Sequence, residues 1–167
     1  IRALAGVAAD AQGLEGLTLP FGELSIDYGS PFDRVRYAEL FEREVGFPMT
    51  DTDKVRAKAN ELGLKTKDDR GNDFDDILVI NEVVEEVAEP AIDPATPTFV
   101  THFPASLSPL TRPNPDDPTI ADRADLFIGG MEVGPHYTEL NDPDIQEAKF
   151  REQLAGIDDE ECTFRTF

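Results

Sequence analysis

Two carboxylates, a tyrosine, a third carboxylate and a proline stand close together in "ADLFIGGMEVGPHYTELNDP". They are Asp125, Glu132, Tyr137, Glu139 and Pro135. Gly129-Gly130 is a two-residue turn signal between apolar runs, so the segment reads as a hairpin. Such a turn sets Ile128 opposite Met131, Phe127 opposite Glu132 and Leu126 opposite Val133. Side chains then alternate between faces. Leu126, Ile128, Met131 and Val133 form an apolar face expected to look into the core. Asp125, Phe127 and Glu132 share the other. Asp125 and Glu132 become diagonal neighbours, about 6–8 Å apart at Cβ. Two acids at that spacing suit a hard cation with oxygen ligands such as Mg²⁺. They also suit a plain solvated surface, and the spacing alone leaves both readings open.

The parity of the second strand needs an adjustment. Glu132 is even, whereas Tyr137 and Glu139 are odd, so a regular strand would separate them. Proline cannot donate to a ladder, and Gly134-Pro135 inside a strand marks a bulge or an edge. One extra residue there would bring Tyr137 and Glu139 to the side of Asp125 and Glu132. The resulting acidic face with an aromatic wall suits an ammonium group on an aliphatic stem, beside a metal-bound polyphosphate.

Other elements must position that hairpin. "RALAGVAADAQ" has helical composition and ends at Gly13 or Gly16, with no N-cap before Ile1. "LTLPFGELSIDYGSPF" reads as a hairpin near 17–20 and 23–28. "SPFDRVRYAELFEREVG" reads as an amphipathic helix opened by Ser-Pro. "TDTDKVRAKANELG" is a second helix, capped by Asp51 or Asp53 and stopped by Gly63. "DFDDILVINEVVEEVA" is the longest, over about 72–88, with Ile77, Ile80, Val84 and Val87 on one stripe. "TPTFVTHFP" is a short strand. "ASLSPLTRPNPDDPT" is a proline-rich loop too long to be idle. Asp142 and Pro143 open a last helix that Gly156 stops, followed by an acidic loop.

The bulk composition excludes some classes. With 167 residues and 40% apolar content the chain makes one domain with a core. A net charge of −20 argues against this segment gripping a phosphate backbone by itself. No run is long enough to span a membrane. The one cysteine, Cys162, cannot form an internal disulfide and fits a reducing cytoplasm. It lies among acids that would raise its pKa, so it is a poor nucleophile. His102 and His136 lack a convincing Ser or Cys partner, and no catalytic nucleophile is evident.

"PTFVTHFPASLSPLTR", "ADRADLFIGGMEVGPHYTELNDP" and "DIQEAKFREQLAG" resemble, in order and spacing, the class II lysyl-tRNA synthetases. The resemblance is strong over about 97–167 and collinear over 17–96. It implies an α+β fold: part of the class II antiparallel sheet, flanked by helices. Residues 1–167 would be a partial catalytic domain, with a helical insert-like region near 33–90 and active-site strands near 97–140. It implies activation of lysine by ATP to lysyl-adenylate, then transfer to tRNA(Lys), in a cytoplasmic protein that is a homodimer at full length. By position, Asp125 and Glu132 match the Mg²⁺–ATP carboxylates. Glu139 matches the acid on the lysine ammonium and Tyr137 the aromatic wall beside it. Pro135 stands near the substrates, where the family usually has asparagine, and Met131 where it often has arginine.

The arginine-bearing signature segments and an anticodon-binding domain are not in these 167 residues. The expectation is therefore an incomplete catalytic core, inactive alone. Ser106 stands where the bacterial synthetases usually show Glu, as in the related ligase that attaches lysine to elongation factor P, which remains the alternative. A non-catalytic, lysine-binding, synthetase-like module is the third reading.

Overall fold

The computed structural model describes residues 1–153. The expectations for Gly156, Cys162 and the acidic tail lie outside them. The chain is α+β. Helix α1 (Arg2–Gln12) leads to a hairpin of β1 (Thr18–Phe21) and β2 (Leu24–Asp27). A four-stranded sheet follows, built from β3 (Asp33–Arg36), β4 (Thr98–Thr101), β5 (Arg123–Ile128) and β6 (Met131–Tyr137), in that spatial order. Between β3 and β4 lie α2 (Tyr37–Val45), α3 (Thr52–Glu61), α4 (Asp76–Val83) and a π-helical turn, Val84–Ala88. Helix α5 (Pro143–Gln153) closes the described chain.

Several elements follow from local chemistry. Gly13 ends α1 in the left-handed region, at φ 65°. Asp51, not Asp53, caps α3 by accepting from the Lys54 N–H at 3.4 Å. Asp142 Oδ1 accepts from the N–H groups of Asp144 and Ile145 and starts α5. Helix α2 begins later than its Ser-Pro signal suggests. Residues 33–36 are instead strand β3, which pairs in parallel with β4. The pairing decides this: Val35 lies opposite Val100, which is buried. The sheet is therefore mixed, antiparallel except for that pair.

The core forms between one face of the sheet and the helices. Tyr37, Leu40 and Phe41 of α2 meet Val55 and Ala59 of α3 and Val79, Val83 and Val84 of the long helical segment. Val100, Phe103 and Phe127 complete it from the sheet side. The buried stripe of the long helix keeps Ile80 and Val84 of the expected set but not the other two. Ile77 and Val87 are only partly buried, while Val79, Val83 and Ala88 are fully so. The wider π turn, Val84–Ala88, accounts for Val87 and Ala88, which lie in it, but not for Ile77, Val79 and Val83, which precede it. The Glu89 N–H reaches back to the Val84 carbonyl, five residues before it, at 2.9 Å.

The β5–β6 hairpin corrects two further expectations. Ile128–Met131 and Phe127–Glu132 pair as expected. Leu126 then pairs with Gly134 rather than Val133, so the extra residue is Val133, ahead of Gly134-Pro135. Met131 and Val133 are also not core residues. Each is about half exposed (50% and 49%), in a hollow shared with Phe21, Ile26 and Tyr28.

Candidate functional site

One bulge residue resolves the parity problem set by the sequence. Past Val133, Asp125 faces Pro135 and Arg123 faces Tyr137 across the ladder. By alternation, Arg123, Asp125, Phe127, Glu132, Pro135 and Tyr137 then belong to one side of the hairpin. Phe127 packs into the core on that side.

Asp125 is 2% exposed, among the most buried polar groups described. Arg123, two residues before it, holds its carboxylate with a planar fork. Arg123 Nε donates to both oxygens at 3.0 and 3.1 Å, and Nη2 donates to Oδ2 at 2.5 Å. The third guanidinium nitrogen, Nη1, donates to Ser108 Oγ at 3.0 Å. The guanidinium carbon lies 4.3 Å from the centre of the Phe103 ring, a cation–π contact. Burial works against the charge of Arg123. The hydrogen bonds to Asp125, and the charges of Asp125, Glu132 and Glu89, outweigh it and raise its pKa further.

Asp125 and Glu132 line one cavity of about 360 Å³, as their pairing on the hairpin suggested. Two acids that the sequence reading did not single out line it with them: Glu85 in the π turn and Glu89 just after it. Their signal was in the sequence, as like charges four residues apart on a helix that is otherwise mostly apolar. Glu89 has a pKa raised chiefly by burial, then by Glu85, Glu132 and Asp125, with Arg123 opposing. Asn81 Nδ2 donates to Glu85 at 2.7 Å, and Asn81 Oδ1 accepts from the buried Tyr37 hydroxyl at 3.1 Å. Burial first, then Glu89 and Glu85, push the Tyr37 pKa upward, so this hydroxyl stays a donor.

The other sequence candidates lie apart from that cavity. Tyr137 is half exposed and lines a neighbouring hollow of about 430 Å³ with His102, Asn114 and His136. His102 adopts a left-handed φ of 59°, and its Nδ1 lies 2.9 Å from Thr101 Oγ1. Glu139 is exposed and bridges to Thr111 beyond the end of β6. It lines a third hollow, about 880 Å³, with Arg112, Asn141 and Asp142. The proline-rich loop is built rather than slack: Arg112 binds Asp122 at 2.7 Å, and Asn114 binds it at 3.0 Å.

The donor set fits Mg²⁺ in kind, since every candidate ligand is a carboxylate oxygen. Among the described residues, no three acidic, His or Cys side chains are already gathered as a cage. Mg²⁺ commonly uses one or two carboxylates with water and phosphate oxygens, so a closed protein cage is not required.

A family model described as tRNA synthetases class II (D, K and N) matches residues 3–167. The chain belongs to that family. Similar proteins include the "Lysine--tRNA ligase" of Cronobacter sakazakii (strain ATCC BAA-894), 37% identical over 161 residues. That match covers 92% of this chain and 31% of the relative. The protein of the same description from Pasteurella multocida (strain Pm70) is 35% identical over 164 residues, covering 93% of this chain and 32% of that one. The one from Actinobacillus succinogenes is 36% identical over 155 residues, covering 88% and 30%. The chain thus spans about a third of the length of these class II relatives. Among the described residues no helix is long and apolar enough to cross a membrane.

Proposed function

We propose that this chain forms the lysine- and ATP-facing floor of a class II synthetase that activates lysine and passes it to tRNA(Lys). The observation that carries the reading is the acidic cavity beside the β5–β6 hairpin, in a chain collinear with lysine–tRNA ligases. Residues near 97–140 are the active-site strands, and the helices between β3 and β4 an insert packed upon them.

In this reading Asp125 and Glu132 hold Mg²⁺ with ATP. The metal supplies charge neutralisation of the phosphates and orientation of the attacked phosphorus. Glu139 takes the ammonium of the lysine side chain, and Tyr137 gives its aliphatic stem an aromatic wall. A charge-assisted pair at Glu139 rejects uncharged amino acids of similar shape, because the carboxylate would be left unpaired. Pro135, opposite Asp125 in the ladder, stands beside the substrates without offering them a donor. No side chain is needed as a nucleophile: the lysine carboxylate attacks the α-phosphorus of ATP, and the bond to the β-phosphate breaks to release pyrophosphate. Tyr37, through Asn81, holds Glu85 at the cavity wall.

Lysine-dependent exchange of pyrophosphate into ATP by the complete gene product tests this. Glu139→Gln is expected to raise KM for lysine at least about tenfold, consistent with losing a charged hydrogen bond. Exchange that proceeds equally well with norleucine, or a KM unmoved by Glu139→Gln, would sink the assignment.

A further inference from the structure

Glu139 lies past the end of β6, yet its backbone is held. Residues 110–112 of the proline-rich loop run beside it as a short ribbon. The Leu140 N–H donates to the Leu110 carbonyl at 2.9 Å, and the Arg112 N–H to the Thr138 carbonyl at 2.8 Å, with Thr111 opposite Glu139. The ribbon starts from Ser108. The Thr111 N–H donates to the Ser108 carbonyl at 3.0 Å, closing a turn with Pro109 at its second position, where the fixed φ of proline is favoured. The Ser108 N–H donates to the Ala105 carbonyl at 3.1 Å, and its Oγ accepts from Arg123 Nη1 at 3.0 Å. Ser108 is buried with all three polar groups engaged. Arg123 is itself fixed, because its other nitrogens are locked on Asp125 and its flat face lies on Phe103. A fixed donor on β5 thus sets where the turn begins, and the turn sets where Glu139 sits.

We infer that Ser108 is a positioning residue for the lysine subsite, holding Glu139 in register through the 108–112 turn and its bond to Arg123. This rests on the reading of Glu139 as the acid that takes the lysine ammonium. Ser108 touches no substrate in that reading. Without its hydroxyl, Arg123 Nη1 loses its partner and the turn loses this tie to β5. The ribbon then shifts, and a displaced carboxylate gives up part of a contact that depends on distance and angle. Binding of lysine weakens, while the reaction at phosphorus is untouched.

Lysine-dependent pyrophosphate exchange by the complete gene product reads this as a split between constants. Ser108→Ala is expected to raise KM for lysine about three- to tenfold, with kcat and KM for ATP within about twofold of the parent. A KM for lysine left at the parent value overturns the inference, as does an equal rise in KM for ATP, which marks a general loss of structure. Glu139→Gln in the same assay separates the two readings. If it raises KM for lysine and Ser108→Ala does not, the inference alone falls. If Glu139→Gln leaves that KM unmoved, the reading of Glu139 falls and takes the inference with it. Should Ser108→Ala fail to fold, Ser108→Cys, close in shape but a weak acceptor, replaces it under the same expectation. Hydrogen exchange gives a readout besides activity. The Leu140 and Arg112 amides are expected to lose protection in the variant while the β5 amides keep theirs, and unchanged protection at Leu140 overturns the inference.

Discussion

Leu126 pairs with Gly134 across the hairpin, and Val133 bulges out between that pair and Phe127–Glu132. The bulge is a one-residue correction to side-chain parity. Deleting Val133 would carry Gly134–Tyr137 one position along and turn Pro135 and Tyr137 to the other face. Replacing Val133 with alanine keeps the count and trims a half-exposed side chain, costing under about 1 kcal/mol. Hydrogen exchange of the β5 and β6 amides separates the two. Protection is expected to persist in Val133→Ala and to collapse in the deletion; equal protection in both would dismiss the bulge as a register device.

The two glycines of the turn are not equivalent. Both have positive φ, 65° at Gly129 and 77° at Gly130. A methyl group at Gly129 would lie 2.7 Å from the Phe21 ring, whereas one at Gly130 finds only Pro94 at 3.8 Å. Gly130→Ala is expected to cost about 1 kcal/mol for the backbone alone. Gly129→Ala is expected to cost roughly 1–2 kcal/mol more, in the range of overpacking. Urea unfolding checks this, and in a Phe21→Ala background the excess is expected to vanish. An excess that survives there would show that Phe21 is not its cause.

Burial separates the helical positions in the same way. Phe41 is fully buried in the cluster of Tyr37, Val55 and Val83, while Leu78 on α4 is 46% exposed. Phe41→Ala is expected to destabilise by about 3–5 kcal/mol, and Leu78→Ala by under about 1.5 kcal/mol. Thermal unfolding of the two variants would show similar losses only if the helices packed through another face.

Glu89 makes stability pH-dependent. Its folded pKa lies above the ordinary value of 4.5, from burial first and then from Glu85, Glu132 and Asp125 against Arg123. An acid raised on folding favours the folded state while protonated. That contribution is complete below 4.5 and is lost as pH rises through the folded pKa. Glu89→Gln is therefore expected to be more stable than the parent at pH near 7 and to lose that advantage as the solution is acidified into the carboxylate range. A constant difference between the two denaturation curves at every pH would rule out this origin.

The hairpin itself was legible from Gly129-Gly130 and from alternation, as was the cap at Asp142, while the cap of α3 was narrowed only to Asp51 or Asp53. The bulge was legible in kind but not in place. Proline drew attention to 134–135, yet Pro135 sits in the ladder and the unpaired residue is Val133. Met131 and Val133 looked like core because alternation fixes which residues share a face, not which face is covered. Strand β3 was hidden because "DRVR" carries only one apolar residue to mark a period of two. Its partner lies far away in sequence. Glu85 and Glu89 were visible as charges, but their approach to Asp125 depends on the π turn and on how the helix packs, which no local pattern encodes. The acidic pair at Asp125 and Glu132 was readable because a short turn fixes both partners.

The parallel pairing of Val35 with Val100 has a kinetic and entropic side. All of α2, α3 and α4 lie inside the loop that this pair closes. Closing a loop of that length costs on the order of 4 kcal/mol before any strand contact is gained. Four ladder pairs at a sheet edge are poorly placed to offset this alone. The helical cluster must shorten the effective loop first, so β4, β5 and β6 can meet early while β3 joins last. Strand β3 is thus the seam of the fold, and loosening the helices should open the sheet there before anywhere else.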